Sequence, residues 1–212
     1  MWPFKKKNQF RELSEAEKKE RTRIFILDDQ QQNELIAYSE RHGWHIRYSD
    51  RLNSFDDPCI VDSHIICIDI NGVGSELGKK SGLDVAYSIK TQHPEKKVII
   101  YSTQPISEFF HPVNEILDRR IYKQGDFEPF ISAFKEFSAE IFSWNNVVSI
   151  FYERTKDYLP PNITYSIFRE RMNQIPQKGL DLNASQVANV LGLSIVIAKE
   201  FLPLLLNGAK VE

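Results

Sequence analysis

The sequence predicts an α/β fold: a five-stranded parallel sheet covered by helices, followed by a small α-helical C-terminal domain. Two observations carry this. Short apolar runs alternate with amphipathic helical stretches, and several runs finish in residues that bear acidic, hydroxyl or amine groups. Strands buried on both faces read as near-continuous apolar runs, and alternation of strand with helix builds parallel sheets because right-handed crossovers lay helices on each side.

In chain order, residues 11 to 22 are polar and helix-favouring with no apolar stripe, which predicts a solvated lead-in helix or tether. Strands are predicted at residues 24–27, 44–48, 64–70, 97–101 and 120–122. The helical stretches between them are 31–41, a weaker one at 50–55, then 83–91 and 106–117. From Phe127 the apolar residues Phe130, Phe134, Phe137, Ile141, Trp144, Val148 and Phe151 recur at steps of three and four. That seam predicts one helix reaching towards Tyr158 and ended by Pro160-Pro161. It admits two uses: a homodimer formed through the helix 127–151, or a first half packed on the sheet and a second half on the C-terminal domain. The tail reads as a short helix stopped by Gly192 and a second helix N-capped by Ser194. Val187, Leu191, Leu193 and Ala198 fall where such a unit is buried, and Ala188 is small where its helices cross. This resembles a helix-turn-helix, with residues 205–212 like the approach to the wing of a winged helix. The expected organisation is a lead-in at 1–22, a sheet domain at 23–138, a connecting helix at 139–160 and the tail module at 161–212.

Composition excludes several classes. Hydrophobic residues make up 42% and charged residues 26%, so a packed core is expected rather than disorder. The two cysteines, Cys59 and Cys67, have no His or Cys at ligand spacing, so neither a zinc nor a disulfide framework is indicated, which fits a reducing cytoplasm. The first ten residues lack an apolar signal core, and no stretch reaches the ~18 apolar residues of a membrane span. A soluble, cytoplasmic protein is the expectation. Residues 24–140 carry 12 Lys/Arg against 19 Asp/Glu, so this part is not suited to gripping nucleic acid.

The strand ends hold the chemistry. The first strand runs into Asp28 and Asp29, the third ends at Asp69, the fourth at Ser102 and the fifth at Lys123. In an open parallel sheet these carboxyl ends lie side by side, and ligands bind there. Three carboxylates brought together repel one another unless a cation neutralises them, and Mg²⁺, which takes hard oxygen ligands, is the natural one. A carboxylate is also a nucleophile towards a phosphoryl group. Lys123 and the Ser102 hydroxyl are then suited to stabilising charge on that group.

The segments RIFILDD, HIICIDIN, GLDVAYSIK, KKVIIYST and RIYK resemble, in order, those of the receiver domains of bacterial response regulators, over about residues 23–137. The resemblance implies a flavodoxin-like sheet of order 2-1-3-4-5. It implies that Asp69 is the phosphoacceptor, that Asp28, Asp29, Asp69 and the Asn71 carbonyl bind Mg²⁺, and that Ser102 and Lys123 serve as switch hydroxyl and lysine. A sensor histidine kinase is the implied partner, and self-phosphorylation with autodephosphorylation the only implied enzymology. The chain departs from the family in lacking Met-Pro after the acceptor, where a longer loop runs from Ile70 to Gly82. Gln124 stands where a proline usually follows the lysine, and Arg120 where an aromatic usually swings inward.

Output is left between two partners. Transcriptional control would place Ser194 and Lys199 at DNA, although the second tail helix offers base edges little beyond Lys199 and Glu200. A phosphorylation-gated protein-interaction module is the other. A metal-dependent phosphohydrolase using the same aspartates is a third reading of the acidic site.

Overall fold

The computed structural model describes residues 13–103, 112–123, 125–175 and 183–207, the last without side-chain detail beyond 202. The chain divides into two compact units, one of residues Glu15–Ala139 and another that gathers the helices from Glu140 onward.

The first unit is a five-stranded parallel sheet of order 2-1-3-4-5. Its strands are β1 Arg23–Leu27, β2 His45–Ser49, β3 Ile65–Asp69, β4 Lys97–Ser102 and β5 Arg119–Tyr122. The central strands β1, β3 and β4 are buried almost throughout, whereas β2 and β5, at the edges, are not. This is why the central runs read as continuous apolar stretches in the sequence. Side chains alternate between faces. On one face Phe25, Leu27, Ile66, Ile68, Val98 and Ile100 pack with Leu83, Val85, Ala86 and Ile89 of α4 Gly82–Gln92. Residues of the alternate set, among them Ile24, Ile26, Cys67, Ile99 and Tyr101, are equally buried. There the Tyr101 ring meets Phe130 of α5 Glu128–Ile141, and Trp44 meets Phe134 edge-on. Helix α2 Asn33–Arg41 contributes the buried Leu35.

The lead-in is the helix α1 Glu15–Arg21 with no buried residue, and Lys19 Nζ donates to the His42 carbonyl at 3.0 Å and lies over the Trp44 ring. Two expectations are corrected in this unit. Residues 50–55 form no helix. A four-residue helix, α3 Pro58–Val61, follows instead, because a proline disfavours helix before it and suits the first helical position, where Asp57 caps it. Of the helix expected at 106–117, residues 104–111 lie outside the described residues, and Pro112–Glu115 is a 3-10 turn. The loop after Asp69 is packed down: Val73 is buried, and the Glu76 carboxylate accepts the Leu52 N–H at 2.8 Å.

The long helix is also corrected. It breaks after Ile141, and α6 Trp144–Thr155 restarts with Ser143 as a true N-cap that accepts the Asn146 N–H. Phe130, Phe134 and Phe137 are buried in the sheet unit, and Val148 and Phe151 in the core of the second unit. These seam residues thus serve the chain's own two cores, the second of the two uses expected for the stripe.

In the second unit, α6 packs with α7 Tyr165–Met172, α8 Ala184–Leu191 and α9 Ile195–Asn207 around Phe151, Phe168, Met172, Val187, Leu191 and Ala198. Gly192, at φ 75°, closes α8 in the left-handed region where a side chain would be strained. The Ser194 hydroxyl caps α9 by accepting the Ile197 N–H, and α8 and α9 meet at a bend of 119°. Of residues 205–212, expected to approach a wing, 205–207 instead complete α9 and 208–212 lie outside the described residues. No single helix among the described residues is long and apolar enough to cross a membrane.

Candidate functional site

The carboxyl edge of the sheet gathers the predicted groups. Asp28 follows β1, Asp69 closes β3, Ser102 closes β4 and Lys123 follows β5. Parallel register sets them level: Asp69 pairs with Tyr101, Ser102 with Tyr122, and the Lys123 N–H donates to the Ser102 carbonyl at 2.8 Å. Each group stands where an apolar run gives way to a polar residue: Asp28 after Leu27, Asp69 after Ile68, Ser102 after Tyr101 and Lys123 after Tyr122.

Oxygens of Asp28, Asp29 and Asp69 lie within 4.8 Å of one another. Lys123 Nζ bridges two of them, at 2.9 Å from Asp28 Oδ2 and 3.0 Å from Asp69 Oδ1. Asp28 is buried; its Oδ1 accepts the Gln30 N–H at 2.9 Å, and its Oδ2 also accepts the Tyr101 hydroxyl at 2.7 Å. Asp69 Oδ2 accepts the Asn71 N–H at 2.8 Å, so Oδ1 is the oxygen turned to Lys123. Asp29 is exposed and lies against Gly72, where an added Cβ would fall 2.2 Å from Asp29 Oδ2.

Three carboxylates thus converge where Lys123 pairs with two of them, an excess of negative charge among the described residues. Elsewhere in the unit the balance is reversed: Asp118, at the opposite edge, has both Lys90 and Lys97 within 3.3 Å. The acidic set is all oxygen, partly open, and short of positive charge, which suits a hard divalent cation such as Mg²⁺ better than a soft metal.

Burial pushes the Asp69 carboxyl above the usual aspartate range, and Asp28 adds to this, although Lys123 and the Asn71 N–H pull the other way. The sign for stability follows from linkage. An acid that holds its proton more tightly in the folded chain makes the fold less stable as pH rises from the unfolded value, about 3.9, through the folded one. Asp69→Asn is therefore expected to raise the melting temperature of the metal-free protein at pH 7, with the gap closing as pH falls through the carboxylate range. Thermal melts in chelator at several pH values measure it; a variant that melts lower at pH 7 contradicts the sign.

Sequence reasoning named Asp28, Asp29, Asp69, Ser102 and Lys123, but gave Tyr101 no definite place. The phenol is fully buried, and burial followed by Asp28 pushes its ionisation well above the usual range, so it stays a hydrogen-bond donor. Tyr122 is exposed, and Arg120 points outward to the Asn114 carbonyl. Gln124 lies outside the described residues. Ser194 and Lys199, expected at an output surface, are exposed at the start of α9.

No protein-family model matches the chain, and no curated protein matches it. Solved structures do. A response regulator protein, TrrA, from Thermotoga maritima in complex with Mg²⁺-BeF is 18% identical at TM-score 0.44, covering 55% of this chain and 98% of that one. A response regulator receiver domain protein from Clostridium thermocellum is 17% identical at TM-score 0.47, covering 56% and 95%. A response regulator from Burkholderia pseudomallei with a phosphorylated aspartic acid is 16% identical at TM-score 0.42, covering 82% and 94%. The likeness is one of fold.

Proposed function

We propose that this chain is a cytoplasmic response regulator in which Asp69 accepts a phosphoryl group from a sensor histidine kinase and thereby switches the C-terminal helical unit. One observation carries the reading: Asp28, Asp29, Asp69 and Lys123 converge at the carboxyl edge of the sheet, with more negative charge than Lys123 can balance. In the transfer, an Asp69 carboxylate oxygen attacks phosphorus while the bond from phosphorus to the donor's leaving atom breaks, and the leaving group keeps that electron pair. Lys123 and the Ser102 hydroxyl stabilise charge on the phosphoryl oxygens. Asp28, Asp29, Asp69 and the Asn71 carbonyl would hold Mg²⁺, which when bound offsets the carboxylate charge and that of the incoming group. Water later cleaves the acyl phosphate, so the protein acts as a switch and turns over no other substrate.

Incubation with acetyl phosphate and Mg²⁺, followed by intact-mass measurement, tests this. Wild type should gain one phosphoryl group and Asp69→Asn none. No gain in wild type, or an equal gain in both, overturns the assignment.

For output, the exposed start of α9 favours a protein partner. Ser194, Ile195, Val196, Lys199 and Glu200 are exposed there, with Val196 at 69%, a surface of two aliphatic side chains and opposed charges. A helix reading base edges offers Arg, Lys, Asn or Gln. Transcriptional control through the helix-turn-helix-like pair predicts duplex binding that weakens steeply with added salt; such a slope, abolished by Lys199→Ala, would reverse the preference.

A further inference from the structure

We propose that Tyr101 is a positioning residue that keeps Asp28 Oδ2 hydrogen-bonded, so that Lys123 can pass from Asp28 to the phosphoryl group gained by Asp69. The inference rests on the receiver reading above and extends it to a residue that reading does not use.

Lys123 begins tied to two carboxylates, Asp28 Oδ2 at 2.9 Å and Asp69 Oδ1 at 3.0 Å. A phosphoryl group on Asp69 brings new anionic oxygens to the same ammonium, and serving them draws it away from Asp28. Asp28 is only 1% exposed, so water cannot readily replace the lost donor. Mg²⁺, when bound, would offset the charge of Asp28 but not replace the donor lost at Oδ2, and a buried carboxylate oxygen stripped of a donor opposes the hand-over. The Tyr101 hydroxyl removes the problem, because it already donates to the same Oδ2 at 2.7 Å.

Two contacts flank the Tyr101 ring. The ring packs edge-on against Phe130, with centroids 5.4 Å apart and planes at 77°. Lys123 Nζ sits 4.5 Å from the ring centroid, so the ammonium stays beside the phenol. The backbone of Asp28 is anchored separately, since its carbonyl accepts the Tyr48 hydroxyl at 2.9 Å. Removing the Tyr101 hydroxyl therefore leaves Asp28 where it is, with Lys123 as its main partner at Oδ2.

Tyr101→Phe keeps the ring and deletes the donor; Phe130→Leu loosens the packing of the same ring without touching Asp28. Phosphoryl gain from acetyl phosphate with Mg²⁺ is followed by intact mass across donor concentrations, and the thermal midpoint of each metal-free protein is measured alongside. Tyr101→Phe should be folded at the assay temperature and lose roughly tenfold in maximal rate, with the half-saturating acetyl phosphate concentration unchanged. Phe130→Leu should melt lower yet keep the wild-type rate. Three results overturn the role of Tyr101 while leaving the receiver reading intact: a wild-type rate in Tyr101→Phe, an equal loss in Phe130→Leu, or a change confined to half-saturation. Wild type that gains no phosphoryl group overturns both.

Discussion

Lys123→Ala is expected to slow phosphoryl gain at Asp69 by about 100-fold or more, the usual consequence of deleting a group aimed at developing negative charge. The ammonium bridges Asp28 and Asp69, and no other cation among the described residues contacts either carboxylate. Removing one partner of a buried ion pair costs about 3–5 kcal/mol. Lys123 is 21% exposed, so water relieves part of this and a loss of about 2 kcal/mol is expected from denaturant midpoints. The effect on metal binding runs the other way. With its internal competitor gone, the carboxylate cluster should bind Mg²⁺ more tightly, and saturating Mg²⁺ should restore part of the lost stability. Titration calorimetry and chemical denaturation with and without Mg²⁺ measure both. A variant that keeps the wild-type rate, or that binds Mg²⁺ more weakly while folded, would contradict the account of the site.

Gly82→Ala should cost about 3 kcal/mol of stability and slow transfer by roughly 100-fold. Gly82 opens α4 directly against the strand that carries the acceptor: its N–H donates to the Ile70 carbonyl at 2.8 Å. A Cβ there would lie 1.9 Å from the Asp69 carbonyl oxygen and 3.0 Å from Ile68 Cγ2. Backbone atoms cannot swing aside as a flexible side chain can. Helix or strand end must move by the better part of an ångström, which is enough to misalign a nucleophile. Urea denaturation and the intact-mass assay read the two losses separately. Wild-type behaviour in both would mean that α4 and β3 do not meet as closely as described.

Much of the site is legible in the sequence because its logic is local. Ile24 to Leu27 and Ile65 to Ile68 are apolar without interruption, and each run stops at an aspartate. A parallel sheet then aligns those stopping points without further information. Where local signals conflict with packing, they mislead. The steps of three and four from Phe127 to Phe151 are real, but they serve two cores in succession, with Ser143 restarting the helix between them. The stretch at 50–55 has helical character, yet Pro58 and the pairing of Leu52 with Glu76 draw that segment into another path.

By itself, the sequence determined the strand-helix alternation, the parallel sheet and the residues that finish each strand, since these follow from apolar runs and the first polar residue after them. Tertiary structure alone decided that the Tyr101 hydroxyl reaches Asp28 and that Gly82 abuts the Asp69 backbone. It likewise decided that the aromatic stripe is divided between two cores. The physical reason is that a linear pattern of polarity says which side chains leave water, while the partner each one meets is chosen by the crossing of elements far apart in the chain.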